Sequence, residues 1–304
     1  FINMIRDQYD TQFHESMWEA EFLGDRTSAT DWTNGRIGDL IGLRSQSGTT
    51  NYSEWACNYS YGYYNGSYTL WQLYWENDRT ADETASATVI DKRLTWNLPG
   101  YNYRGMNNQK ISYKNKAGET VTRYLQQTQS MFKTPWVYNN NFAMPDIEGL
   151  DQTIEDAFDP ADLVYDPTVM CAVRNAGKWR RETVYEKQMS AKSLYTTINF
   201  PILRYADVLL MFAEADNRLN GGPTDEAKLA LQRIRERAFG TSQAEWIAGV
   251  SGSEADFLKA IQEERRLEFV GEMIRKQDLI RWNLLKANMD KVKQDMYDLR
   301  TLSG

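Results

Sequence analysis

A single histidine, His14, stands in a chain of 304 residues. Its isolation removes the Ser-His-Asp triad, His-ligated metals and the commonest general base. Cys57 and Cys171 have no CxxC spacing, which excludes thiolate zinc sites of that kind. They read as two buried thiols, with a disulfide between them the less favoured alternative. No GxSxG, P-loop or Rossmann GxGxxG occurs. Any chemistry therefore falls to carboxylates, arginines and aromatic rings.

The carboxylates offer two catalytic arrangements. Glu19 and Glu21 alternate with Trp18, Ala20 and Phe22, so they share one strand face at about 6.6 Å. That separation does not exclude two-carboxylate glycoside hydrolysis, though a solvated strand face is favoured. Arg204, Asp207, Met211, Glu214 and Arg218 share one helical stripe at about 100° per residue. A second charged group spans Glu263 to Glu268. Charges on a buried scaffold must be paired, so both groups read as ion-pair networks that fix helix packing. Between Lys133 and Arg174 there is no basic residue, while Asp146, Glu148, Asp151, Glu155, Asp156, Asp159, Asp162 and Asp166 accumulate. Clustered carboxylates suit Ca²⁺, but the EF-hand spacing and its glycine are missing. A solvated acidic loop is the favoured reading, and no cofactor is expected.

The aromatic residues point to binding. The chain holds 10 Trp, 18 Tyr and 11 Phe. Of the 28 Trp and Tyr, 24 lie in residues 1–200 and four in residues 201–304. A sugar ring presents C–H groups that pack on Trp or Tyr, while its hydroxyls take Asn, Asp, Arg or Gln. Trp71 and Tyr74 sit with Leu70 and Leu73 in an apolar run and read as core. Tyr63, Tyr64, Trp96, Tyr101, Tyr103 and Trp136 lie beside Gly, Asn or Pro and are the candidate glycan platforms. More than half of all these rings are expected merely to anchor loops. Asn51, Asn58 and Asn65 begin N-x-S/T sequons, which are glycosylation candidates in a eukaryotic secreted protein and polar loop residues in a bacterial one.

The elements that must position these rings divide near Pro201. Residues 1–14 read as the tail of a helix, and Glu15–Phe22 as a half-buried strand with Trp18, Ala20 and Phe22 on one face. Residues 24–110 are loops with short elements. Ile111–Tyr113 and Val121–Tyr124 flank Lys116-Ala117-Gly118-Glu119 as a hairpin. Residues 134–170 form an acidic loop with four prolines. Beyond Pro201, the run from Ile202 to Ala215 is a helix apolar on three sides, hence buried on several sides. Asn220-Gly221-Gly222 stops it, and Pro223 opens the next helix at its first position. Ala227, Leu231, Ile234 and Ala238 face inward there, and Gly240 ends it. A third helix starts at Ser253 with a capping Asp256. A fourth runs from Arg275 to about Asn288, with Leu279, Trp282 and Leu285 inward. These are two antiparallel pairs with tetratricopeptide-like offsets, and two pairs alone cannot bury both faces.

Four blocks in this helical part resemble the SusD/RagB-like family. Arg204-Tyr205-Ala206-Asp207-Val208-Leu209-Leu210-Met211-Phe212-Ala213-Glu214-Ala215 is similar to its RADVLLMYAEA. Ile234-Arg235-Glu236-Arg237-Ala238 is similar to VRxRA. Ile261–Phe269 is similar to IxxERRxEF, and Arg275–Trp282 to RxxDLxRW. Upstream, Glu15-Ser16-Met17-Trp18-Glu19 is similar to ESIWE, Asp91-Lys92-Arg93-Leu94 to DPRL, and Lys178-Trp179-Arg180-Arg181 to KYRR.

The resemblance implies a mostly α fold, a tetratricopeptide-like scaffold of helical pairs with a loop-rich, small-β ligand-binding region. Within one unit spanning 1–304, residues 1–14 and 201–304 are assigned to the scaffold and 15–200 to the loop-rich part. The resemblance also implies a non-catalytic, cell-surface glycan-binding lipoprotein of the outer membrane. Its expected partners are an oligosaccharide or polysaccharide and a SusC-like TonB-dependent transporter. The lipid-bearing Cys of the family is not found in the chain, which reads as the back part of something longer. A protein-binding tetratricopeptide scaffold without sugar binding is the alternative, and a hydrolase using Glu19 or Glu21 a more remote one. With 42 acidic against 35 basic residues and no dominant Lys/Arg cluster, a nucleic-acid partner is not expected. No run of 18 apolar residues occurs, so no membrane-spanning helix is expected.

Overall fold

The computed structural model describes residues 15–22, 35, 37–42, 61–67, 69–70, 73–74, 91–98, 101–103, 110–114, 120–124, 126–130, 137–140, 175–179 and 198–302. In chain order the elements are β1 (Ser16–Ala20), α1 (Ile37–Leu40), α2 (Lys92–Asn97), β2 (Tyr101–Tyr103), β3 (Lys110–Lys114), β4 (Thr120–Tyr124), β5 (Gln126–Ser130), β6 (Val137–Asn140), β7 (Phe200–Arg204), α3 (Tyr205–Asn220), α4 (Asp225–Phe239), α5 (Ala244–Val250), α6 (Glu254–Glu268), α7 (Arg275–Arg281) and α8 (Leu285–Leu302). The chain forms two compact units. One comprises Phe1–Tyr9, Ala20–Gly66 and Thr95–Phe200; the other comprises Asp10–Glu19, Ser67–Leu94 and Pro201–Gly304.

In the helical unit, α3 packs against both α4 and α6, and α5 packs against α4 and α6. Ala206, Leu210 and Ala213 of α3 meet Ala227, Ala230, Leu231 and Ile234 of α4, with Phe257, Ala260 and Ile261 of α6 in the same core. The inward stripe read from the sequence for α4 is buried along its whole length. Small alanines facing larger Leu, Ile and Phe let the helix axes approach closely, as ridges fitting grooves require. Tyr74 lies in this unit, fully buried, its hydroxyl donating to the carbonyl of Leu267 at 2.7 Å. That agrees with the core reading; Trp71 lies outside the described residues.

The helix ends follow local chemistry. Gly221 and Gly240 close α3 and α4 at φ 65° and 73°, the left-handed region that costs glycine least. Ser253 caps α6, its hydroxyl accepting from the Asp256 amide at 3.1 Å. Pro223, however, is not the first residue of α4. Thr224 intervenes as the cap, its hydroxyl accepting from the Ala227 amide at 3.3 Å. A free hydroxyl one residue further on satisfies a helix amide that proline has no means to satisfy. Thr224→Ala is expected to cost about 1 kcal/mol in urea unfolding, and an unchanged midpoint would refute the cap.

Three helical expectations need correction. Ile202–Arg204 are strand, not helix: Arg204 is extended at φ −135° and ψ 163°, and α3 starts at Tyr205. Nor is α3 buried on several sides, because Tyr205, Met211, Phe212 and Leu219 are exposed. Its buried side is the single stripe Ala206, Leu210, Ala213 and Asn217. The fourth helix is two, α7 and α8, broken at Asn283, which sits at φ 58°. Leu279 is buried, whereas Trp282 and Leu285 are only half-buried. The sequence reading also missed α5, which has only seven residues, too few to show a period.

β1 pairs with β7 in a two-stranded sheet. Trp18 is 64% exposed and Met17 beside it is exposed too, while Glu15, Ser16, Glu19, Ala20 and Phe22 are half-buried. The half-buried residues come from both parities, so burial here does not follow the alternation. Here Glu15 is drawn in by Arg204 at 2.7 Å.

The loop-rich unit has its own core of Ile41, Ala176, Trp179 and Ile198, with Ile37, Leu40, Trp96 and Phe200 packed against it. Trp179 and Phe200 meet at 5.6 Å between ring centres. The predicted hairpin is present as β3 and β4, antiparallel, with Ile111 opposite Arg123 and Tyr113 opposite Val121. β2, β5 and β6 form a second antiparallel sheet in the order β2-β5-β6. Val137–Asn140 are therefore strand, where the sequence suggested loop. The remainder of the acidic run, the segment 1–14 and both cysteines lie outside the described residues.

Candidate functional site

Residues 61–67 run between two other segments of the loop-rich unit. The Tyr63 amide donates to the Leu40 carbonyl at 3.0 Å, and the Ala176 amide donates to the Tyr64 carbonyl at 2.9 Å. Asn175 adds a clamp: its Nδ2 donates to the Gly62 carbonyl and to Asn65 Oδ1, both at 2.8 Å. Asn65 and Asn175 also form an antiparallel bridge. Gly66 lies close against Leu98, since a Cβ there would fall 2.2 Å from Leu98 Cδ2. The backbone is thus held on both edges, yet Tyr63 and Tyr64 are 64% and 55% exposed. Two large rings thus stand in water on a hydrogen-bonded backbone, an arrangement that could cover an apolar ligand face.

The other candidate rings are placed differently. Trp96, on α2, is half-buried against the core of its unit, so most of its ring supports packing. It belongs to the same core as Ala176 and Leu40, which hold the Tyr63–Tyr64 segment. Tyr101 and Tyr103 occupy alternate positions of β2, opposite Ser130 and Thr128, and so share one face of that strand. Trp136 lies outside the described residues. Tyr61 was not singled out by sequence reasoning. It stacks on Tyr63 with ring centres 5.0 Å apart and planes 3° from parallel. The signal available in the sequence was the i, i+2 spacing of two tyrosines across Gly62.

The charged blocks resolve into buried ion pairs. Arg204 is 2% exposed and reaches Glu272 at 2.8 Å, Glu268 at 2.7 Å and Glu15 at 2.7 Å. Arg93 holds Asp91 at 2.7 Å, Glu264 at 2.6 Å and Glu268 at 2.9 Å. Arg235 meets Glu264 at 2.9 Å, and Arg237 pairs with Glu268. A second group links Asp207 to Arg265 at 2.6 Å, Arg265 to Asp278 at 2.8 Å, and Arg281 to Asp278 and Glu214. Rings cover the guanidinium planes: Phe269 lies 4.5 Å from Arg204, and Trp246 3.5 Å from Arg235. The paired reading is borne out for Arg204, Asp207 and Glu214, and for Glu264, Arg265 and Glu268 of the Glu263–Glu268 block.

The local fields follow from this packing. Burial alone would lower the Arg204 pKa, but Glu272, then Glu268 and Glu15, outweigh it and hold the pKa above the ordinary value. Arg93 behaves likewise, with Glu264 and Asp91 outweighing burial. In Arg235 burial prevails, and the neighbouring Arg93 adds to it against the pull of Glu264. Arg275 is the clear contrast. Burial, then the nearby Arg266, lower it to about 10. Its described hydrogen bond goes to the Gln262 carbonyl at 3.2 Å. The fold therefore disfavours its charge throughout the range below that value. Arg275→Met is expected to leave the melting temperature unchanged or raised, and a clear drop would refute this account.

Known proteins bear on these observations. The chain matches the SusD family over residues 14–301. A SusD-like protein P25 of Formosa agariphila is 45% identical over 85 residues, which is 28% of this chain and 15% of that protein. A solved SusD homolog from Bacteroides thetaiotaomicron superposes with a TM-score of 0.61 at 21% identity, over 97% of this chain and 45% of the other. The chain thus spans less than half the length of that structure. At this level of identity the likeness shows the fold, mostly helical on a tetratricopeptide-like scaffold, as the sequence blocks implied.

Proposed function

This chain belongs to the SusD family, and from that premise we propose that it binds glycan at a bacterial cell surface without catalysing a reaction on it. The observation that carries this reading is the pair of exposed rings, Tyr63 and Tyr64, on a backbone clamped at both edges. An aromatic face covers the C–H face of a pyranose, and the ordered backbone avoids an entropic cost on binding. Delivery to a TonB-dependent outer-membrane transporter, and a lipid-anchored place on the outer membrane, are the finer parts of the proposal. Among the described residues, no helix is long and apolar enough to cross a membrane.

The competing reading, a scaffold for protein partners, draws on one observation. Tyr205, Phe212 and Leu219 recur every seven residues on α3 and are all exposed. Titration calorimetry with soluble polysaccharides separates the two. Tyr63→Ala with Tyr64→Ala is expected to weaken binding at least about tenfold, near 1.4 kcal/mol, with melting unchanged. No binding across neutral and acidic polysaccharides would sink the glycan reading, and unaltered affinity in that double variant would remove these two rings from it. Release of reducing sugar, lost in Glu19→Gln, would instead establish a hydrolase.

A further inference from the structure

The segment with Tyr63 and Tyr64 is more than two exposed rings. Tyr61 lies parallel to Tyr63, 5.0 Å away. Gly62 between them has φ 56°, and this left-handed turn brings two side chains i and i+2 face to face. Asn175 holds that turn by its bond to the Gly62 carbonyl. Beyond the turn the geometry changes. The Tyr63 amide leaves one edge toward Leu40, and the Tyr64 carbonyl leaves the other toward Ala176. Backbone groups leaving opposite edges at consecutive residues mark an extended chain, whose consecutive side chains point to opposite faces. Tyr64 is therefore turned away from the Tyr61–Tyr63 pair.

We propose that Tyr61 and Tyr63 act as one stacked ledge for a single pyranose ring without an acidic group on its docked face, and that Tyr64 receives a different ring on the opposite face. Tyr61 is a positioning residue: it occupies one face of Tyr63 and so leaves the other ordered before the ligand arrives. A lone exposed tyrosine must give up side-chain freedom on binding, and a stacked one has already done so. The electron-rich ring face attracts C–H groups and repels carboxylate or sulfate. This inference rests on the glycan reading above and narrows it.

Affinity electrophoresis of the whole chain through gels containing laminarin, galactan or polygalacturonate tests it. Tyr63→Ala and Tyr61→Ala are each expected to weaken retention by a neutral polysaccharide about tenfold, and together by little more than either alone. Tyr61→Phe keeps the stack and should stay within about twofold of the parent. Tyr64→Ala should multiply with Tyr63→Ala, since the two rings serve separate sugars. Tyr61→Leu, which keeps volume without a ring, replaces Tyr61→Ala if the latter melts early. Retention of the parent that Tyr61→Ala or Tyr61→Leu leaves intact overturns the proposal. So does a Tyr63–Tyr64 pair that fails to multiply, or retention by polygalacturonate as strong as by the neutral gels. If the parent is retained by none of the three, the glycan reading itself fails. If it is retained and no tyrosine variant matters, only the ledge falls.

Discussion

Arg204→Ala should lower unfolding stability by about 3–5 kcal/mol, the size expected when one partner of a buried ion pair is removed. The change strips Glu268 and Glu272, themselves about 4–5% exposed, of a guanidinium at 2.7 and 2.8 Å. Water has little access there to replace the lost guanidinium, although Glu268 keeps its pairs with Arg93 and Arg237. It also uncovers the Phe269 ring that the guanidinium covers at 4.5 Å. Urea unfolding followed by far-UV circular dichroism measures it. Leu219→Ala, at a position 86% exposed on the helix that follows Arg204, should move the midpoint by less than about 0.5 kcal/mol. If the two substitutions cost the same, the network is solvated and does not organise the helices.

The network also explains what the family blocks are for. Arg204, Asp207 and Glu214 come from the first, Arg235 and Arg237 from the second, Glu264, Arg265 and Glu268 from the third, and Asp278 and Arg281 from the fourth. Glu15 and the Asp91–Arg93 pair, from two of the three upstream segments similar to the family, join the same set. Residues far apart in the chain meet as ions with few alternative partners. A buried charge tolerates few other registers, so the arrangement specifies one packing of these helices.

Trp179→Ala should have the largest effect in the loop-rich unit, about 3–5 kcal/mol. The indole is 1% exposed and fills the core between Ile41, Ala176 and Ile198. Its removal also reaches the candidate site. Ala176 and Asn175, within the same segment, hold Tyr64 and Gly62 by hydrogen bonds. Glycan retention is therefore expected to fall even where the protein remains folded, in contrast to Arg204→Ala, whose surroundings lie in the other unit. Thermal melting and gel retention measured on the same samples check this. Full retention in a destabilised but folded Trp179→Ala would show that the rings need no ordered backbone.

Local rules carried the reading furthest where an element is defined by its own residues. Gly221 and Gly240 stop α3 and α4, Ser253 starts α6, and the β3–β4 hairpin closes around Lys116–Glu119. In each case the deciding interaction spans a few residues. Arg204 failed as a helical residue because its strand pairing depends on β1, almost two hundred positions away. Trp282 and Asn283 carry no proline or glycine to announce the break between α7 and α8. At the site, exposure of Tyr63 and Tyr64 was legible from the neighbouring glycine and asparagines, while the half-buried state of Trp96 was not. Its turn residues resembled theirs, and the core of Trp179 and Ile198 behind it is assembled from distant segments.

The sequence by itself determined the helical scaffold, its family blocks and the concentration of aromatic rings outside it. These depend on residue type, spacing and short-range capping, which the chain carries in order. Only the tertiary structure decided which faces are covered and which charges meet. Trp18 lies in water and Glu15 lies against Arg204 because what covers a strand comes from residues distant in the chain. Tyr61 joins Tyr63 because a left-handed glycine and a distant asparagine turn the chain between them.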